Sequence, residues 1–137
     1  MAKELSATRG RYAVAIGVIL VIAAAHAFRL GKYLSGSWFR YYYSFFSDIV
    51  LPFGVYFLLC LNDARVPLLR SWAVKCALVF GVAAAAEVCQ AFGIPMLGTT
   101  FDPLDFVMYA VGVTTAAVIE RQLLSRFFGF WALKESK

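Results

Sequence analysis

Charge is scarce in this chain. Of 137 residues only 15% are Asp, Glu, Lys or Arg, against about 25% in an ordinary soluble domain. Disorder needs high charge and low hydrophobicity, so that class is excluded. Histidine occurs once, at position 26, which leaves no HExxH metalloprotease motif. The three cysteines, Cys60, Cys76 and Cys89, form no CxxC pair and no Cys/His zinc spacing. They stand inside apolar blocks and read as small core residues. No nucleophile elbow is present, and no motif calls for a cofactor. Ten glycines and four prolines are ordinary numbers, which excludes collagen-like and low-complexity chains. Strand-like alternation is missing, so a transmembrane β-barrel is a poor fit.

What is abundant is apolar surface. The apolar share is 62% and the mean hydropathy +0.75, against roughly 45–50% apolar residues in a soluble domain. One domain of this size cannot bury that much apolar surface within itself. Lipid must be its solvent. The expected fold is all-α: a polytopic membrane protein whose residues 1–137 form a single four-helix transmembrane bundle. Four apolar blocks carry the spans, at about 12–28, 41–61, 72–92 and 104–124. Each approaches the roughly 20 residues that a helix needs to cross a bilayer core. The first block has a rival reading. Lys3, Arg9 and Arg11 resemble a signal-peptide n-region and Ala25-His26-Ala27 a cleavage site, but the apolar run exceeds the usual h-region of about 7–15 residues.

The net charge of +5 is spread between the apolar blocks with no basic stripe, so nucleic acid is not the expected partner. The basic residues instead set orientation. The N-terminus, the connection between spans two and three, and the C-terminus share one side. That side carries Lys3, Arg9, Arg11, Arg65, Arg70, Lys75, Arg121, Arg126, Lys134 and Lys137, and the other carries only Arg29, Lys32 and Arg40. The expected location is a bacterial cytoplasmic membrane with both termini in the cytoplasm and residues 93–103 facing outward. Trp38 and Tyr41-Tyr42-Tyr43 then mark the outer interface, and the aromatic tail Ser125–Trp131, with Arg126 in it, is expected to lie along the inner one.

Charged groups within a membrane are costly and usually functional, so their depth matters. Asp48 lies about seven residues, roughly 10 Å, below the outer end of span two. Glu87 and Gln90 share a face in the last turns of span three. Asp105 sits at the start of span four, just after Asp102. His26 lies at the outer end of span one. All fall in the outer half, whereas Lys75 and the Glu120-Arg121 pair are expected to reach the inner interface. Asp105, Tyr109, Gly112 and Ala116 share one face of span four. Ala77, Gly81, Ala85 and Cys89 place a small residue at every fourth position of span three, a pattern of close helix packing. Asp102-Pro103-Leu104-Asp105 reads as a helix start with Asp102 as cap. Pro52 is expected to bend span two beside Asp48. Together Asp48, Glu87, Gln90, Asp102, Asp105 and Tyr109 are the expected lining of a polar pocket that opens outward.

The stretch Glu87-x-x-Gln90, Pro95, Gly98-Thr99-Thr100-Phe101-Asp102-Pro103-Leu104-Asp105 and Tyr109-x-x-Gly112 resembles the VanZ-like family of small bacterial membrane proteins. Asp48-x-x-x-Pro52-x-Gly54 is similar to the Pro-x-Gly motif of that family's earlier helix. Two positions depart from the pattern: Thr99 stands where the family usually has Arg, and Tyr109 where it often has Asn. The resemblance implies four spans and a role in the cell envelope, because the founding member is linked to low-level resistance to the lipid-bearing glycopeptide teicoplanin. It implies membrane lipids and an amphiphilic ligand or cell-wall precursor as partners, and no cofactor. The rival expectation is a membrane enzyme that uses a carboxylate pair, with a divalent cation held by oxygen ligands between Asp102, Asp105 and Glu87. A transporter or channel ranks third, since no inverted repeat is visible.

Overall fold

In the computed structural model, which describes residues 2–96 and 101–131, the chain is an all-α bundle of four long helices. Helix α1 spans Ala2–Ala27, α2 Ser37–Cys60, α3 Trp72–Ala91 and α4 Pro103–Val118. Helix α4 continues through a π-helical segment, Ile119–Leu124, and a last short turn, Ser125–Phe127. The segments long and apolar enough to cross a membrane are Ala7–Ala27, Ser37–Cys60, Trp72–Ala91 and Pro103–Phe127. Their outward surfaces are apolar too: Leu20, Val21, Val82 and Phe92 are all largely exposed. That is the expected exterior for a multi-pass membrane protein, whose backbone polar groups are satisfied within each helix and whose side chains meet lipid.

Local sequence sets the ends. The Asp102 side chain accepts from Leu104 N at 2.9 Å and Pro103 fills the first helical position of α4, as the motif predicted. Ser71 caps α3 by accepting from Val74 N. Helix α3 stops at Gly93, which takes φ +77°. Its N–H reaches the Gln90 carbonyl at 2.9 Å, and that of Ile94 reaches Cys89 at 3.0 Å. This is a Schellman stop, which only a residue tolerant of positive φ makes cheaply.

Packing is uneven. Helix α2 lies mainly against α4, α4 against α3, and α1 against the other side of α2, while α2 and α3 touch less. The tightest approach is between α2 and α4, where a Cβ on Gly112 would stand 2.2 Å from the Ile49 carbonyl oxygen. The core is built from Ala15, Tyr56, Phe57, Cys60, Val79, Val113, Ala116, Ala117 and Trp131. It therefore fills the half of the bundle nearer the C-terminal end of α2. Toward the other end a cavity stays open between α2 and α3, with Asp105 and Tyr109 of α4 in its wall.

Two expectations about faces are corrected here. The small residues Ala77, Gly81 and Ala85 of α3 are exposed, and a Cβ on Gly81 would meet nothing within 4 Å. The inward face of α3 is instead Lys75, Val79, Ala86 and Glu87, which puts the ionisable Lys75 and Glu87 beside their partners on other elements. The aromatic tail does not lie wholly along the interface either. Trp131 is buried in the core, and the Phe130 ring packs against Gly10 of α1.

Candidate functional site

Polar side chains gather at both ends of the bundle. At the end formed by Ala27, Ser37, Ala91 and Pro103, the predicted pocket residues Asp48, Glu87, Gln90, Asp102, Asp105 and Tyr109 all line one cavity of about 710 Å³. The other walls are Ser44, Ser47, Leu51, Pro52, Val55 and Leu59 of α2, and Leu78, Val79, Val82 and Ala83 of α3. The cavity is thus a groove with an acidic mouth and an apolar floor running down between α2 and α3. Pro52 lies inside α2 on this wall, and it has no N–H to offer the Asp48 carbonyl one turn back.

The acidic side chains have different surroundings. Glu87 is buried and accepts from three donors: Asp102 N at 2.6 Å, Gln90 Nε2 at 3.2 Å and the Tyr109 hydroxyl at 3.3 Å. Gln90 Nε2 also reaches the Met96 carbonyl at 2.8 Å. Glu87 is therefore the knot that ties the end of α3 to the start of α4. Asp102 is occupied as the cap of α4. The carboxyl groups of Asp48 and Asp105, in contrast, accept no hydrogen bond from another residue among the described residues, and both face the cavity. No three carboxylates at this end stand close enough together, among the described residues, to share a cation. Asp102, Asp105 and Glu87, expected to hold a divalent cation between them, are thus not brought together as one such group. The motif residues Gly98, Thr99 and Thr100 lie outside the described residues.

His26 belongs to the helix interface rather than the cavity wall. Its Nδ1 donates to the Ile22 carbonyl at 2.9 Å, its Nε2 lies 3.1 Å from the Ser47 hydroxyl, and its ring tilts against Phe46. It pins α1 to α2 just behind the mouth of the groove.

The opposite end holds a site that the sequence reading missed. Lys75 Nζ is fully buried and lies 2.7 Å from Glu120 Oε1, 3.3 Å from Asp63 Oδ2 and 3.4 Å from Cys60 Sγ. The Tyr56 hydroxyl donates to Glu120 Oε2, and Trp131 Nε1 donates to Glu120 Oε1 at 3.4 Å. Arg11 pairs with Asp63 at 3.7 Å, and its guanidinium also donates to the carbonyls of Phe130 and Trp131. Lys75 and Glu120, expected to extend to the interface, turn inward instead. Two cations facing two anions cost less to bury than either pair of like charges left alone. Each of these residues stands within a turn or two of a span end, and that placement of opposite charges was the available signal.

Cys60 Sγ and carboxylate oxygens of Asp63 and Glu120 lie within 4.8 Å of one another, a spacing three metal ligands could adopt. The Lys75 ammonium reaches all three, so the place of a cation among them is already taken by Nζ. Asp63 lies in the turn after α2, and burial pushes its carboxyl up to about 6, with Glu120 adding to the rise and Lys75 and Arg11 opposing it. The π-helical turn keeps Glu120 in position: the Ser125 N–H and hydroxyl both donate to the Glu120 carbonyl, the hydroxyl at 2.8 Å. A π turn inside a helix often marks a place where a side chain must be aimed.

Fold and site together define a small multi-pass membrane protein with a groove at one end and a closed ionic network at the other. No family model, curated protein or solved structure matches the chain.

Proposed function

We propose that this protein is a VanZ-like envelope protein of the bacterial cytoplasmic membrane that holds an amphiphilic ligand in the groove between α2 and α3. The observation that carries this reading is the shape and chemistry of that groove. A polar, acidic mouth opens onto an apolar floor of about 710 Å³ in total, within the roughly 300–1,000 Å³ of sites that hold a drug-sized molecule. A molecule with a head and a hydrocarbon tail matches both parts. The excess of Lys and Arg at the other end supports placing the acidic mouth on the outer side and both termini in the cytoplasm. There the groove would meet lipids, cell-wall precursors or a lipid-bearing glycopeptide, and a contribution to teicoplanin-type resistance or envelope homeostasis is the role proposed by analogy.

The carboxylate-pair enzyme is the weaker reading. Glu87 and Asp102 are engaged in holding the scaffold, and no nucleophile or metal set adjoins them among the described residues.

Two measurements test the proposal. Single-cysteine labelling with a membrane-impermeant maleimide, at Ile94→Cys and Arg65→Cys in a background without native cysteines, is expected to modify the first from outside and the second only after lysis. Filling the groove with Val55→Trp is expected to abolish retention of lipid or lipoglycopeptide by the purified protein. Equal retention by wild type and the filled variant would refute the groove as the binding site.

A further inference from the structure

We infer that the occupant of the groove is a single-chain amphiphile with a cationic, hydrogen-bond-donating head, its ammonium set against Asp48 and Asp105 and its chain along Leu51, Val55 and Val82. This deepens the amphiphile reading above and rests on it.

The first argument is charge complementarity. Among the described residues, every ionisable group lining the cavity is a carboxylic acid or a phenol, and no Lys, Arg or His lines it. The second is the division of labour among the acids. Glu87 is saturated by Asp102, Gln90 and Tyr109, and Asp102 caps α4. These two build the wall. Asp48 and Asp105 also line the cavity, on different helices, and neither accepts a hydrogen bond from another residue among the described residues. Both carboxyls are half-buried, Asp48 within α2 and Asp105 in the first turn of α4, and acidic groups within or at the mouth of a span are usually matched by an opposite charge. Here the missing charge is the ligand's. An anionic head would face two unneutralised carboxylates, and a neutral one would leave them unmatched. The third argument is shape. Leu51 and Val55 of α2 and Leu78 and Val82 of α3 line the same cavity below the acids, a single apolar bed between two helices.

The experiment uses the full chain in phosphatidylcholine nanodiscs and three probes of equal chain length: dodecylammonium, dodecanol and dodecyl sulfate. Binding is read by calorimetry after subtraction of partitioning into protein-free discs. The inference expects dodecylammonium to bind more tightly than dodecanol, and dodecyl sulfate not to bind. Asp48→Asn and Asp105→Asn should each weaken dodecylammonium by about tenfold, the scale of one lost charge-assisted hydrogen bond, and leave dodecanol unchanged. Asp48→Glu should restore selectivity, which separates loss of charge from misfolding. If all three probes bind alike, and the Asn variants match wild type, the cationic head is wrong while the amphiphile groove stands. If none binds, and Val55→Trp behaves as wild type, both readings fall.

Discussion

The ammonium of Lys75 lies 2.7 Å from the carboxylate of Glu120, and both side chains are buried, one from the first turn of α3 and the other from the π-helical end of α4. Asp63 and Arg11 close the circuit from the turn after α2 and from α1. Four charges thus tie together α1, the turn after α2, α3 and the π-helical end of α4. Lys75→Met would leave Glu120 and Asp63 facing each other without their shared cation. The expected loss is about 3–5 kcal/mol, the usual cost of removing one partner of a buried pair. Lys75→Met combined with Glu120→Gln should lose less than the two single changes added together. Thermal unfolding of the four proteins in one detergent measures the coupling.

Asp63 also sets a pH dependence. Burial raises its carboxyl from the ordinary 3.8 to about 6, so between these values the folded protein binds a proton that the unfolded chain does not. Stability from this group therefore rises as pH falls from 7 through 6, and levels off below 3.8. The groups facing it are Lys75 of α3, Arg11 of α1, and Glu120 and Cys60 on the remaining sides. Asp63→Asn should remove this part of the profile, up to about 3 kcal/mol at about 1.4 kcal/mol per pH unit. Unfolding midpoints of both proteins from pH 4 to 7 test it, and parallel curves would show that Asp63 does not titrate in this range.

The glycines of α3 and α4 should respond oppositely to the same change. A methyl at Gly112 meets the Ile49 backbone, whereas one at Gly81 meets open space. Gly112→Ala is expected to force α2 and α4 apart at a cost of about 1–3 kcal/mol or more. Gly81→Ala should be neutral, or stabilising by up to about 1 kcal/mol through helix propensity. Melting temperatures of the two variants decide this directly.

Glu87 should act on the connection between α3 and α4 more than on ligand selectivity. Glu87→Ala removes the acceptor of Asp102 N, Gln90 and Tyr109 at once, and leaves the buried Tyr109 hydroxyl unsatisfied at about 1–3 kcal/mol, while Gln90 keeps its bond to the Met96 carbonyl. Faster amide exchange across residues 92–106 is the expected signature. Unchanged exchange there would mean that Glu87 does not hold this connection.

Much of the acidic end was legible along the chain. Asp48, Glu87, Gln90 and Asp105 could be placed toward the same end of the bundle by counting residues from span ends, because the fixed rise of a helix converts position into height. The faces of Tyr109, Gly112 and Ala116 followed from the helical repeat, and Asp102-Pro103 announced its own cap. What counting could not tell was which acids are spent on the scaffold and which face the cavity. That depends on backbone donors, such as Asp102 N, that no side-chain pattern records.

The ionic network escaped because charges near span ends have two ways to be satisfied. Lys75 could have stretched to the interface, and hydropathy ranks that conformation no lower than the inward one. The fold decided it by bringing Cys60 at the end of α2, Asp63 of the following turn and Glu120 of the π-helical segment to the same point. The small residues Ala77, Gly81 and Ala85 of α3 lie away from that point and face outward. Sequence alone determined the apolar character and number of the long helices and the end of the bundle at which the groove's acids stand, since these depend only on local composition and on the rise of a helix. Tertiary structure alone decided which faces meet, which charges pair and where a groove stays open, since each of these is a contact between residues far apart in the chain.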